Sequence, residues 1–214
     1  DHRTTLIFVN TRSQAELLFQ ELWRINDDLP DYAKLRDYEP PVMTRIHSSD
    51  GQLLAEYASQ RRLYLPIQAV PSTVVNAFLA AEDKNFFSHF GLDFISIFRA
   101  VVENVKDLGT DRRPVGASTI TQQVAKNFLL TNEVSIERKL KEALLALRIE
   151  SAFSKDEILE LYLNEIYLGL GSYGIAAAAL NYFDKSVQEL TVPEAAYIAA
   201  LPKAPENYHP FRFP

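Results

Sequence analysis

Glu82 stands where a helix would carry an apolar residue. The run from Pro71 to Asp83 reads as a helix with Ser72 as N-cap and Val75, Phe78 and Leu79 at helical spacing. The next position on that stripe is Glu82. A carboxylate facing a core or cleft wall loses hydration, which raises its pKa and suits it to general acid or base work. A helix-end acid paired with Lys84 or His89 explains the same position equally well. A second acid, Glu142, follows Arg138 and Lys139 within one turn on a strong helix starting at Ser135. Those two cations could hold a pyrophosphate, or they form solvated pairs worth roughly a few tenths of a kcal/mol.

More polar groups fall at element ends. Gly116 and Ser118 open a helix whose N-terminus, with its free N–H groups and positive dipole end, suits a phosphate; Ser118 reads as the N-cap. Gln122 and Lys126 share a face of that helix. An ordinary capped helix accounts for the same residues. The Ser154–Glu157 capping box opens another helix with Lys155 at its start, the wrong end for a cation unless an anion lies opposite. Arg99 sits at one edge of a helix whose other face carries Phe94, Ile97, Phe98, Val101, Val102 and Val105; such a stripe is expected to be core, with a membrane-interfacial face as the alternative. Gly169, Gly171 and Gly174 have dinucleotide-loop spacing, but no strand precedes them, so that reading fails.

The elements that must position these groups are mostly helices. On the helix from Ser135, Ile136, Leu140, Ala143, Leu144 and Leu147 read as the buried stripe. Strands are expected only at the front: Val42–His47 and Leu53–Tyr57, joined by a Ser48–Gly51 turn. The Lys106–Val115 segment reads as a lid-like loop. Thr191–Glu194 caps what reads as the last helix. Residues 1–28 look foreign to this pattern: a Thr4–Asn10 strand, then a helix opened by Ser13 and Glu16 with Ala15, Leu18, Phe19, Leu22 and Ile25 on one face, making one β-α unit.

With 214 residues and 47% hydrophobic content, one ordinary globular domain is expected. The net charge of −6 argues against binding nucleic acid by bulk electrostatics. The absence of cysteine excludes disulfides and thiolate metal sites. No apolar run approaches a membrane span, and no signal peptide or fixed-period repeat is read.

Four ordered motifs give these residues a common setting. Glu82-Asp83-x-x-Phe86-x-x-His89-x-Gly91-x-Asp93, Gly116-Ala117-Ser118-Thr119-Ile120-Thr121-Gln122-Gln123, Arg138-Lys139-x-x-Glu142 and Lys155-x-x-Ile158-Leu159-x-x-Tyr162-Leu163-Asn164 resemble the signatures of the peptidoglycan glycosyltransferases, glycosyltransferase family 51. Ala117 replaces the second glycine of the second motif. The fifth signature and a penicillin-binding domain are not found before Pro214, so residues 29–214 are expected to be such a domain truncated at its C-terminus. The front of the domain looks closer to the class A penicillin-binding proteins than to the monofunctional enzymes. Residues 1–28 resemble a piece of a superfamily 2, ligase-associated helicase.

The resemblance implies a mainly α, lysozyme-like domain with a short N-terminal β-hairpin. It implies polymerisation of lipid II into β-1,4 glycan, with Glu82 as general base and undecaprenyl pyrophosphate released. Glu142 is the second catalytic candidate and a tentative metal ligand. Asp83, Phe86, His89, Arg99, Ser118, Thr119, Gln122, Gln123, Lys126, Arg138, Lys139, Lys155 and Asn164 are the implied substrate-binding set; Asp83 and His89 are read as bracing the Glu82 turn. A divalent cation (magnesium or manganese) is allowed and no organic cofactor is implied. Implied partners are lipid II, the growing lipid-linked strand, the membrane surface and other cell-wall synthesis proteins. The implied location is the periplasmic face of the inner membrane, through a parent protein that supplies the anchor. A glycan hydrolase, for which two carboxylates also serve, and an inactive membrane-associated module are the alternatives.

Overall fold

A computed structural model describes residues 2–38, 44–50, 53–57, 61–107, 116–131, 133 and 135–208. Most of the anticipated Lys106–Val115 loop lies outside these residues. Helices dominate: α1 (His2–Asp27), α2 (Ser72–Glu82), α3 (Phe94–Lys106), α4 (Ile120–Leu129), α5 (Ile136–Ala152), α6 (Lys155–Glu165), α7 (Ile175–Phe183), α8 (Val192–Ala200) and α9 (Pro205–Tyr208). The mainly α reading stands, and so does the front hairpin. β1 (Thr44–His47) pairs antiparallel with β2 (Leu53–Tyr57), with an irregularity between Ile46 and His47. No sequence pattern marked the short parallel pair β3 (Arg61–Arg62) and β4 (Ser172–Tyr173).

The core lies where α2, α4, α5, α6, α7 and α8 converge. Val74 and Phe78 of α2, Ile120 and Val124 of α4, Leu145 and Ile149 of α5, and Ile158, Tyr162 and Leu163 of α6 are all buried there. Polar pins close the gaps between helices. The Asn164 side chain accepts from the Leu65 N–H (2.8 Å) and donates to the Leu65 carbonyl (2.9 Å), tying the strap before α2 to the end of α6. Gly174 starts α7 at φ +79° against the Asn164 backbone.

Several sequence expectations change. The Thr4–Asn10 strand is helix, part of an unbroken α1. A lone strand without neighbours leaves its N–H and C=O groups unpaired, whereas a helix satisfies them internally, and no Gly or Pro interrupts the run before Pro30. The end of α1 is docked: Ile25 is buried, and Arg148 donates to Asn26 Oδ1 at 2.8 Å. Pro71, not Ser72, occupies the N-cap position of α2. The helix from Thr191 is not the last, because a 3₁₀ turn at Leu201–Lys203 and α9 follow.

The inward face of α5 is Glu142, Leu145, Ala146, Ile149 and Glu150, not the predicted Ile136-to-Leu147 stripe; Ile136 is 83% exposed. Placing the buried stripe on Ile136, Leu140, Ala143, Leu144 and Leu147 rotated the helix the wrong way. Here both acids point inward, each met by cations. The α3 stripe is likewise not core. Phe94, Ile95, Phe98, Val101 and Val105 are exposed, with Phe98 at 72%, and Ala100 alone of this helix is buried.

Candidate active site

Glu82 ends α2 half-buried at the start of α4. The Gln123 amide donates to its Oε2 at 2.8 Å. Burial pushes the Glu82 carboxyl above its ordinary value; the Gln123 hydrogen bond and the Lys203 charge pull back, and Asp83 adds to the rise. His89 is not its partner, since that ring belongs to Asp83, and Lys84 is exposed. Glu82 is therefore a desolvated carboxylate held by a neutral amide, the state that suits a base.

Asp83 braces this turn from behind. It accepts from His89 Nε2 at 3.0 Å and from the Ile120 N–H at 2.9 Å. An ionised Asp83 only accepts, so Nε2 carries the proton. The N-terminus of α4 thus already has an anion, Asp83, on its first N–H. That revises the expectation of a phosphate docked on those groups. The α4 cap is Thr119, not Ser118: Thr119 and Gln122 form a reciprocal capping box, and the Thr119 hydroxyl donates to the Gly91 carbonyl at 2.6 Å. Gly91 itself lies close against α5. It has φ +81°, and a Cβ there would meet the Ala146 carbonyl oxygen at 2.9 Å. Asp93 caps α3 through the Ile95 and Ser96 N–H groups and accepts from Asn85 at 2.8 Å. Burial works against its charge, but the Ser96 hydroxyl, the Ser96 N–H and the Asn85 amide hold its pKa down to about 2.

Ser118, displaced from the cap, accepts from Lys139 Nζ at 2.8 Å. Lys139 also bonds Glu142, whose other oxygen accepts from Arg138 at 3.1 Å. Lys139 is about half exposed while the Glu142 side chain is 3% exposed. The segment from Ser118 to Gln123 therefore touches the Arg138–Lys139–Glu142 cluster at one end and Glu82 at the other. Arg99 and Lys126 are exposed.

Other candidates are drawn into the scaffold. Phe86 has no exposed surface, so it packs and does not contact a substrate. Gln122 is spent in the capping box and Asn164 on Leu65. The anion that justifies Lys155 is internal: Lys155 Nζ lies 2.6 Å from Glu150 and 4.3 Å from the centre of the Phe86 ring. Glu150 also accepts from Thr121 at 2.6 Å. Sequence reasoning missed Glu150 because the apolar stripe it placed on α5 left that position outside the buried face. It also missed Lys203, which no periodicity marks. A divalent ion does not fit Glu142, because both its oxygens already face cations. Among the described residues, no three His, Cys, Asp or Glu side chains gather to hold a metal.

Because Glu142 neutralises a largely covered Arg138, Glu142→Gln is expected to lose about 2–3 kcal/mol of stability by leaving that guanidinium unpaired. Chemical denaturation of both proteins checks this.

The transglycosylase family profile matches residues 50–214. Penicillin-binding protein 1A of Rickettsia felis is 56% identical over 191 residues, which is 89% of this chain and 24% of that protein. The protein of the same name from Escherichia coli K12 is 48% identical over 186 residues, 87% of this chain and 22% of its own. A crystal structure of penicillin-binding protein 1A from Haemophilus influenzae is 30% identical, covering 81% of this chain and 16% of that one, with a TM-score of 0.39. The chain spans about a quarter of the length of the curated relatives it matches.

Proposed function

The chain belongs to the transglycosylase family, and from that premise we propose that it is a peptidoglycan glycosyltransferase that polymerises lipid II with Glu82 as general base. The observation that carries this reading is the half-buried Glu82 carboxylate, hydrogen-bonded by a neutral amide, raised in pKa by burial, and joined through one short segment to a cluster of cations.

In the reaction, Glu82 accepts the proton of the 4-hydroxyl of the lipid II GlcNAc. The oxygen attacks the anomeric carbon of the MurNAc that ends the lipid-linked strand. The bond to undecaprenyl pyrophosphate breaks, its electron pair leaves with the phosphate, and the centre inverts from α to β. Lys139 has surface to spare beyond Glu142 and is the first cation to meet the leaving pyrophosphate; Arg138, Lys126 and Arg99 add to the field. Lys155 acts at one remove, fixing Glu150 and Phe86 beneath the Glu82 turn. The exposed α3 face lies on the membrane surface where both lipid-linked substrates reside. On this reading the parent protein works on the periplasmic side of the inner membrane, beside other cell-wall synthesis proteins. No helix among the described residues is long and apolar enough to cross a membrane. Residues 1–28 take no part in the chemistry; with Thr4–Asn10 helical, the β-α unit that suggested a helicase-like piece is gone.

Incubation with lipid II in detergent tests the reading. Glycan polymer with stoichiometric undecaprenyl pyrophosphate is expected. Shortening of preformed glycan would mark a hydrolase, and no turnover an inert module.

A further inference from the structure

Glu150 is a buried acid with no step of its own in this mechanism. Its side chain is 3% exposed, and its Oε1 is met from two other helices. The Thr121 hydroxyl of α4 donates to it at 2.6 Å, and Lys155 Nζ of α6 lies at 2.6 Å. Stability is a poor reason for such a pair. Desolvating both charges offsets most of their attraction, and apolar side chains of similar volume are often as stable or more so.

The contacts of Glu150 lead instead to the elements that must meet at the base. Through Thr121 it holds the first turn of α4, where the Gln123 amide donates to Glu82 at 2.8 Å. A Cβ added at Gly91 would lie 3.2 Å from Glu150 Cγ, so the loop that follows Glu82 packs directly on this side chain. Lys155 extends the contact to Phe86 on the same loop, 4.3 Å from the ring centre. The α4 turn and the Glu82 loop are thus both set against one carboxylate. We propose that Glu150 is a positioning residue: by tethering Thr121 it fixes the first turn of α4 where Gln123 can orient Glu82. The proposal rests on Glu82 being the base. A carboxylate suits the task because its bonds are charge-assisted and directional, whereas an apolar side chain would fill the space without fixing α4 in rotation.

The test compares Thr121→Val, which keeps the shape and removes the donor, with Thr121→Ser, which keeps the donor. Thr121 has no exposed surface, so neither change reaches the substrate directly. Thr121→Val is expected to lower kcat for lipid II polymerisation about ten-fold with KM unchanged, and Thr121→Ser to restore most of it. A merely structural contact would lower the melting temperature and leave kcat per folded molecule as it was. The nitrogen-15 side-chain amide resonance of Gln123, assigned by its loss in Gln123→Leu, should move in Thr121→Val and stay in place in Thr121→Ser. Glu150→Leu combined with Lys155→Met removes the same tether in a protein expected to melt at the same temperature or higher, and should show the same fall in kcat and the same displaced resonance. An unchanged kcat with an unmoved Gln123 resonance in either folded variant would overturn the proposal while leaving the base assignment intact. Polymerisation by Glu82→Gln at the unaltered rate would overturn both.

Discussion

Glu82→Gln is expected to lower lipid II polymerisation by about 10³-fold with the fold intact. Glutamine keeps the shape of the side chain and can still bond the Gln123 amide, so the turn at the end of α2 is held as before. Only the ability to take a proton is removed. The stability effect has a definite sign. Burial raises the folded pKa of Glu82 above its unfolded value. The acid's contribution is thus fully present below the unfolded pKa and is lost as pH rises through the folded one. At neutral pH the ionised carboxylate is a burden on the fold, and the glutamine variant should melt at the same temperature or higher. Loss of turnover without loss of stability is the mark of a residue kept for chemistry. Lipid II turnover and thermal melting, read on the same samples, check both halves.

Gly174→Ala is expected to be among the most destabilising single-methyl additions to the chain, costing about 3–4 kcal/mol. Gly174 has φ +79° and ψ 161°, a combination nearly confined to glycine, and strain of this kind alone costs about 1–3 kcal/mol. Its new Cβ would lie 2.6 Å from the Asn164 carbonyl oxygen, with the Asn164 carbonyl carbon at 2.9 Å. Those atoms are backbone and cannot turn aside. Relief would require α7 to move away from the end of α6. That shift would disturb the Asn164 side chain, which holds Leu65 and the strap leading to α2 and Glu82. A lower denaturation midpoint, with activity falling in proportion to unfolded protein, is the expected result. Gly116→Ala serves as the control, because a Cβ there meets nothing within 4 Å.

What the sequence made legible follows from local physics. The capping boxes at Ser154–Glu157 and Thr191–Glu194 are set by residues three apart, and both form. The β1–β2 hairpin was marked by its turn and forms as well. The Thr119–Gln122 box carries the same local signal: Ser118 beside it has Thr121, not Glu or Gln, three residues on, and the Gly91 carbonyl further holds Thr119. Burial was less legible. Periodicity locates a stripe, but not whether a partner covers it: the α3 stripe is real and faces outward. On α5 the buried face carries two acids, because Arg138 and Lys139 meet Glu142 while Lys155 and Thr121 meet Glu150. Lys155 and Thr121 are recognisable as partners only once α4, α5 and the start of α6 are packed. At the site, the four motifs pointed to Glu82. The contribution of Lys203 depends on a distant segment returning to the end of α2, which no spacing along the chain records.

The most direct test of Glu82 as the base is the pH dependence of lipid II polymerisation, measured for the unaltered chain and for Gln123→Leu. Activity should fall as pH drops through a midpoint above the ordinary carboxylate value of 4.5, because burial raises Glu82. Gln123 donates to the ionised form, so its removal should move that midpoint to higher pH while the plateau at high pH survives. Superimposable acid limbs in the two proteins, or a limb at the ordinary carboxylate value, would contradict the account.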